Sequence, residues 1–175
     1  MAMAQRRRAS GESNLLFNGP NLSVVGKTEN DDVKSVKRTW KVLIVDDDDV
    51  VHQVTSMVLS DYSFEGEPVQ ILKSYSGFEC RRIMQNSPDI AVVIMDVVME
   101  TDTAGLDAIK YIREELGNHS VRIIVRTGQP GQLPEKIIVA EYDINGYLEK
   151  ADLTAAKLYD NLDSSLQAYK EINNL

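Results

Sequence analysis

The sequence predicts an α/β fold: an open, doubly wound parallel sheet with helices on both faces. Three observations carry this. Five short apolar runs are each followed by a helical pattern, giving five β-then-α units in succession. The runs are continuous rather than alternating, as strands covered on both faces must be. They end at polar or charged residues, and ligand sites in such sheets lie beyond the carboxyl ends of the strands, where strand order reverses.

Val42 to Val45 is the first strand, a β-branched run flanked by charge. Residues 49–60 then place Val50, Val54, Met57 and Val58 at the spacing of one helix face. Val69 to Leu72 follows Pro68 as the second strand. Ser76-Gly77 opens a second helix with Phe78, Ile83 and Met84. Ile90 to Met95 is the third and most apolar strand. Leu106, Ile109, Ile112 and Leu116 mark a third helix that Gly117-Asn118 suits as an end. Val121 to Val125 is the fourth strand, followed by a Gly-Gln-Pro-Gly turn and a short fourth helix near 133–140. Ile144 to Leu148 is the fifth. From Thr154 to about Asn173 runs the last helix, with Leu158, Leu162, Leu166 and Tyr169 on one face; it spans roughly 30 Å, more than covering the sheet requires.

Residues 1–38 lack any sustained period and read as a mobile leader, whereas 39–175 read as the folded domain with an extended C-terminal helix. The leader has seven basic and four acidic side chains (+3); the rest has twelve and twenty-three (−11). An acidic domain is a poor fit to nucleic-acid backbones. Arg6 to Arg8 and the Leu15-Leu16-Phe17 cluster read as tail rather than as binding motifs. Gly26-Lys27-Thr28 lacks the glycine a phosphate-binding loop needs five residues earlier, where Asn21 stands. The longest apolar run has six residues (Ile90 to Met95), far short of the roughly 20 a membrane helix needs. One cysteine, Cys80, forbids an intrachain disulfide and a cysteine-based zinc cluster, and a reducing cytoplasm is the simplest address.

The strand ends gather chemistry. The first delivers Asp46 to Asp49, the third Asp96, the fourth Thr127, the fifth Lys150. In the expected sheet Asp46, Asp47 and Asp96 converge. Two carboxylates about 4 Å apart repel by roughly 4 kcal/mol at an effective dielectric near 20, so three need protons or a cation. Oxygen-only ligands suit Mg²⁺, which keeps waters and accepts phosphate oxygens. With the Thr127 hydroxyl and the Lys150 ammonium, this is a phosphoryl-handling set, in which Asp96 is the acceptor that becomes an acyl phosphate.

The run Lys41-Val-Leu-Ile-Val-Asp46-Asp47, then Ile94-Met-Asp96-Val-Val-Met99, then Thr127, then Tyr147-Leu-Glu-Lys150, resembles the receiver domain of two-component response regulators over about residues 40–172. The resemblance implies a flavodoxin-like sheet of five parallel strands in the order 2-1-3-4-5. It implies phosphorylation of Asp96 by a histidine kinase or histidine phosphotransfer protein. Mg²⁺ would sit on Asp46, Asp47, Asp96 and the Val98 carbonyl. Thr127 and Lys150 would bind phosphoryl oxygens, and Tyr147 would act with Thr127 as a switch. A partner face would combine the fourth helix, fifth strand and last helix, serving an output domain or a homodimer. The stretches Met95-Asp-Val-Val-Met-Glu-Thr101 and Arg126-Thr-Gly-Gln-Pro-Gly131 look like a receiver subfamily usually found N-terminal in larger regulators, some with cyclic-dinucleotide phosphodiesterase outputs. Such a domain is a signalling phosphoacceptor rather than an enzyme. Three features depart from the family. Glu100 stands where most receivers have Pro, the loop to Gly105 is about one residue longer, and Lys150-Ala151 replaces the usual Lys-Pro with its cis peptide.

Simpler roles fit the remaining residues. Asp48 and Asp49 read as caps of the first helix, His52 as a plain helix residue, Cys80 as a semi-buried filler, and Arg81 and Arg82 as solvated. Two rival functions are a haloacid-dehalogenase-type phosphatase, with Asp46 as nucleophile and Asp48 as acid/base, and a receiver-like scaffold that takes no phosphate. The first rival leaves Asp96 without a role and lacks its later acidic motif.

Overall fold

β1 (Trp40–Val45) lies inside the sheet because both its faces are apolar and both its edges are paired: it runs parallel to β3 (Glu67–Ser74) on one side and to β4 (Ile90–Asp96) on the other. This computed structural model describes residues 39–128, 142–152 and 154–175. Beyond β4 come β5 (Arg122–Thr127) and β6 (Gly146–Glu149), also parallel. The five parallel strands take the expected order. A sixth, unforeseen two-residue strand, β2 (Ser63–Phe64), pairs antiparallel with β3, so the sheet runs β2-β3-β1-β4-β5-β6. Its two-residue turn holds Glu65 and Gly66 at φ +53° and +80°, the left-handed pair that suits strand twist in a tight hairpin.

Two apolar layers cover the two faces. One joins Leu43, Val93 and Ile123 to Cys80 and Met84 of α2 (Gly77–Asn86) and to Leu106 and Ile109 of α3 (Ala104–Lys110). The other joins Val42, Val92 and Ile124 to Leu59 of α1 (Asp49–Leu59) and to Leu158, Leu162 and Leu166 of the C-terminal helix (Ala155–Ile172). α3 continues through a wider π turn, Tyr111–Glu115, and Gly117 at φ +61° follows it, as its glycine promised. Among the described residues, no helix is long and apolar enough to cross a membrane.

Of the apolar face expected of α1, only Val58 packs against the core, half-buried; the other three positions face outward. Val50, Val54 and Met57 are 62 %, 54 % and 74 % exposed, and His52, Thr55 and Leu59 are buried instead. Positions 52, 55 and 59 share a face at the same helical spacing, and Leu59 reaches the core while His52 and Thr55 meet polar groups beneath the helix start. On α2, Phe78 is likewise exposed, while Cys80 is wholly buried rather than half so. Arg81 is half-buried with its guanidinium 5.5 Å from the centre of the Tyr111 ring, not simply solvated. The leader at 1–38, with its tripeptide clusters, and the short helix near 133–140 lie outside the described residues.

Candidate functional site

Strand alternation aims four ionisable side chains to one side of the sheet. Asp46 follows β1 in phase with Val42, Asp96 ends β4 in phase with Val92 and Ile94, Arg126 lies on β5 in phase with Ile124, and Lys150 follows β6 in phase with Leu148. Asp96 and Arg126 are opposite one another in the β4–β5 register. Asp46 and Asp96 are buried and Asp47 is exposed, and one carboxylate oxygen from each lies within 4.8 Å of the others. The Lys150 ammonium bridges the two buried acids, 2.7 Å from Asp96 Oδ2 and 2.9 Å from Asp46 Oδ2.

Burial pushes the Asp96 carboxyl above its ordinary value; Lys150 pulls it down, the Asp46 charge pushes it further up, and a hydrogen bond from the Val98 backbone pulls it down again. Burial works against the Lys150 ammonium, but its bonds to Asp96 and Asp46 outweigh this and raise its pKa. Three carboxylates with oxygen donors alone fit a hard divalent cation, which prefers such ligands.

The loops that hold these groups are tightly fixed. Asp48 caps α1 by accepting from the Val50 N–H at 2.8 Å, and its own N–H donates to Asp46 Oδ1 at 3.0 Å. His52 Nε2–H donates to the Asp46 carbonyl at 2.7 Å, and its ring centre lies 4.3 Å from that of Tyr75, so it is a buried support of the strand tip. Gly105 N–H donates to the Val97 carbonyl; a Cβ at 105 would stand 1.9 Å from the Asp96 carbonyl oxygen, so only glycine permits this approach of α3 to β4. Thr127 is buried at the end of β5, and Tyr147 is half-buried against the layer that includes α2 and α3. No cis peptide occurs among the described residues.

Two residues carry more of the site than the sequence reading allowed. Arg126, buried to 1 % exposure, donates through Nη2 to Asp46 Oδ2 at 3.0 Å and through Nη1 to Thr55 Oγ1 at 2.9 Å. The available signal was an arginine directly after Ile123-Ile-Val125 inside a strand that must be covered on both faces. Glu100, standing where a proline is usual, accepts from the Gly77 N–H (2.9 and 3.1 Å) and the Phe78 N–H (3.3 Å). It thereby ties the loop after β4 to the N-terminus of α2, where a negative charge is favoured.

Comparison with known proteins agrees with this geometry. The family model for the response regulator receiver domain matches residues 42–163. Over 133 residues the chain is 47 % identical to a 3'3'-cGAMP-specific phosphodiesterase 2 of Vibrio cholerae, covering 76 % of this chain and 26 % of that protein; the chain thus spans about a quarter of the relative's length. The receiver domain protein of Clostridium thermocellum superposes with a TM-score of 0.62 at 26 % identity, covering 76 % of this chain and 98 % of the other. The chemotaxis protein CheY4 of Vibrio cholerae gives 0.61 at 26 % identity, covering 74 % and 100 %.

Proposed function

Because the chain belongs to the response regulator receiver domain family, we propose that Asp96 accepts a phosphoryl group from the histidine of a kinase or phosphotransfer protein. The observation that carries this is the convergence of buried Asp96 with Asp46, Asp47 and the Lys150 ammonium. An Asp96 carboxylate oxygen forms the new bond to phosphorus as the bond from phosphorus to the partner's imidazole nitrogen breaks, the electron pair remaining on that nitrogen. Lys150 then pairs with the phosphoryl oxygens, and the Thr127 hydroxyl donates to them. Asp46, Asp47, Asp96 and the Val98 carbonyl would hold Mg²⁺, and a cation there would offset the charge of the incoming group. Tyr147 and Thr127 pass the change to the β6 edge, since the acyl phosphate brings about −1.5 to −2 charges to this rim.

α1 starts at Asp49, three residues after Asp46, and carries the exposed Val50, Val54 and Met57. Monomeric surfaces seldom leave such a stripe uncovered, and it suits an apolar helix of the phosphoryl donor. The likeness to a protein named for cyclic-dinucleotide phosphodiesterase activity supports a larger regulator in which this domain governs a phosphodiesterase-type output. A phosphatase with Asp46 as nucleophile is disfavoured: three donors already engage the Asp46 carboxylate, and the Asp48 carboxylate caps α1.

Incubation with a small acyl phosphate and Mg²⁺ should raise the intact mass by one phosphoryl group, and Asp96→Asn should reduce uptake to background. Unchanged uptake by Asp96→Asn would remove the assignment.

A further inference from the structure

Among the described residues, the largest fully buried side chain is a cation. Arg126 sits in β5, all of whose residues are buried, and reaches past β4 to the tip of β1. A buried guanidinium is strongly unfavourable unless its charge is matched and its donors are used. Here the match is Asp46, one of the three acids of the pocket, and the second arm rests on Thr55, nearly two turns into α1. Three carboxylates therefore face two cations, Lys150 and Arg126, which leaves the ionised pocket one negative charge in excess. Lys150 is partly exposed and can turn to other oxygens; Arg126 is enclosed and held at two points.

We propose that Arg126 is a positioning residue and built-in counter-charge: it holds the Asp46 carboxylate in place without a metal, and its charge lowers the pocket's affinity for divalent cations. The inference rests on the reading of the pocket as a cation site. A divalent ion shared by Asp46, Asp47 and Asp96 feels the guanidinium as a near like charge in a poorly screened setting. Removing that charge leaves a pocket at −2, which is less stable when empty and more avid when filled. A residue with a merely structural role gives the reverse, since loosening Asp46 weakens cation binding.

Calorimetric titration of Mg²⁺ and Mn²⁺ into the wild type and into Arg126→Met, Arg126→Gln and Arg126→Lys reads this directly, with thermal unfolding in chelator and in excess Mg²⁺ alongside. Both neutral variants should bind Mg²⁺ at least ten-fold more tightly than the wild type. They should unfold at a lower temperature in chelator and show a larger rise on adding Mg²⁺. Arg126→Lys should return the affinity toward the wild-type value. If Arg126→Met does not fold in chelator, Arg126→Gln, which keeps donors for Asp46 and Thr55, supplies the comparison, and Arg126→Met is measured by chelator back-titration from Mg²⁺. Equal or weaker Mg²⁺ binding by the folded neutral variants overturns the inference while leaving the phosphoacceptor reading intact. Absence of divalent binding in every protein, wild type included, overturns the cation-site reading and the inference together.

Discussion

Of the three arginines buried among the described residues, Arg113 and Arg126 serve opposite ends of the strands, and they do different work. Arg113, in the π turn after α3, donates to the backbone carbonyls of Asn118 (2.7 Å), Val121 (2.9 Å) and Asp143 (2.8 Å), which lie just before β5 and β6. Burial pulls its pKa down to about 10, still far above neutrality, so it stays charged. Arg126, at the carboxyl edge, meets a carboxylate and a hydroxyl. Arg113 also has the exposed Asp143 carboxylate 3.3 Å from its Nε, but its buried donors rest on backbone carbonyls at the opposite ends of the strands, so it fixes chain geometry away from the acidic pocket. A guanidinium resting on a carboxylate that itself faces a pocket depends on the charge that pocket holds. The same residue type is thus a staple at one edge and a setting at the other.

The contrast breaks or holds most visibly with Arg113→Met. Three carbonyls would lose their donor, each at about 1–3 kcal/mol with partial recovery by water, so a loss of about 3–5 kcal/mol is expected in urea unfolding. The loss should be the same with and without Mg²⁺. A Mg²⁺-dependent loss matching that of Arg126→Met would erase the distinction between the edges.

A smaller effect tests whether position alone creates the coupling. Glu100 lies at the carboxyl edge, yet its carboxylate serves the N–H groups that open α2 rather than the acidic pocket. Glu100→Ala removes part of a helix cap and should cost about 1 kcal/mol. Denaturant curves with and without Mg²⁺ should shift equally. A shift confined to one condition would mean that the loop clamp and the pocket act as a unit.

What could be read from the sequence followed what repeats or stands in order. The continuous apolar strands announced parallel pairing, and the acids and lysine at their ends announced one rim; the structure brings Asp46, Asp47, Asp96 and Lys150 together there. The face of α1 was not legible, because Val50, Val54 and Met57 keep the same spacing as the true inner set of His52, Thr55 and Leu59. Periodicity reports a face but not its direction, and the direction was set by polar partners distant in sequence. Strand β2 was too short to show a period, although Glu65-Gly66 held the turn. Glu100 and Arg126 were hidden for a further reason: a charge inside a packed rim makes sense only beside the group it satisfies, and those groups are 23 and 80 positions away.

The smallest effect is a difference of slopes in alkali, and it concerns the other cation of the rim. Burial disfavours the Lys150 ammonium, but Asp96 and Asp46 more than compensate, so its pKa is raised on folding. As pH rises, the unfolded chain therefore releases this proton first. The contribution of Lys150 to stability is fully present below about pH 10.5 and is lost as pH climbs through its higher folded value. Lys150→Arg keeps a cation that does not titrate in this range, whereas the other groups that titrate in alkali are common to both proteins and cancel in the comparison. Urea unfolding across this range should show the wild type losing stability relative to Lys150→Arg, and the two curves running parallel below it. Parallel curves throughout would mean that the two buried acids do not hold Lys150, leaving Arg126 as the sole counter-charge of Asp46 and sharpening the contrast between the two edges further.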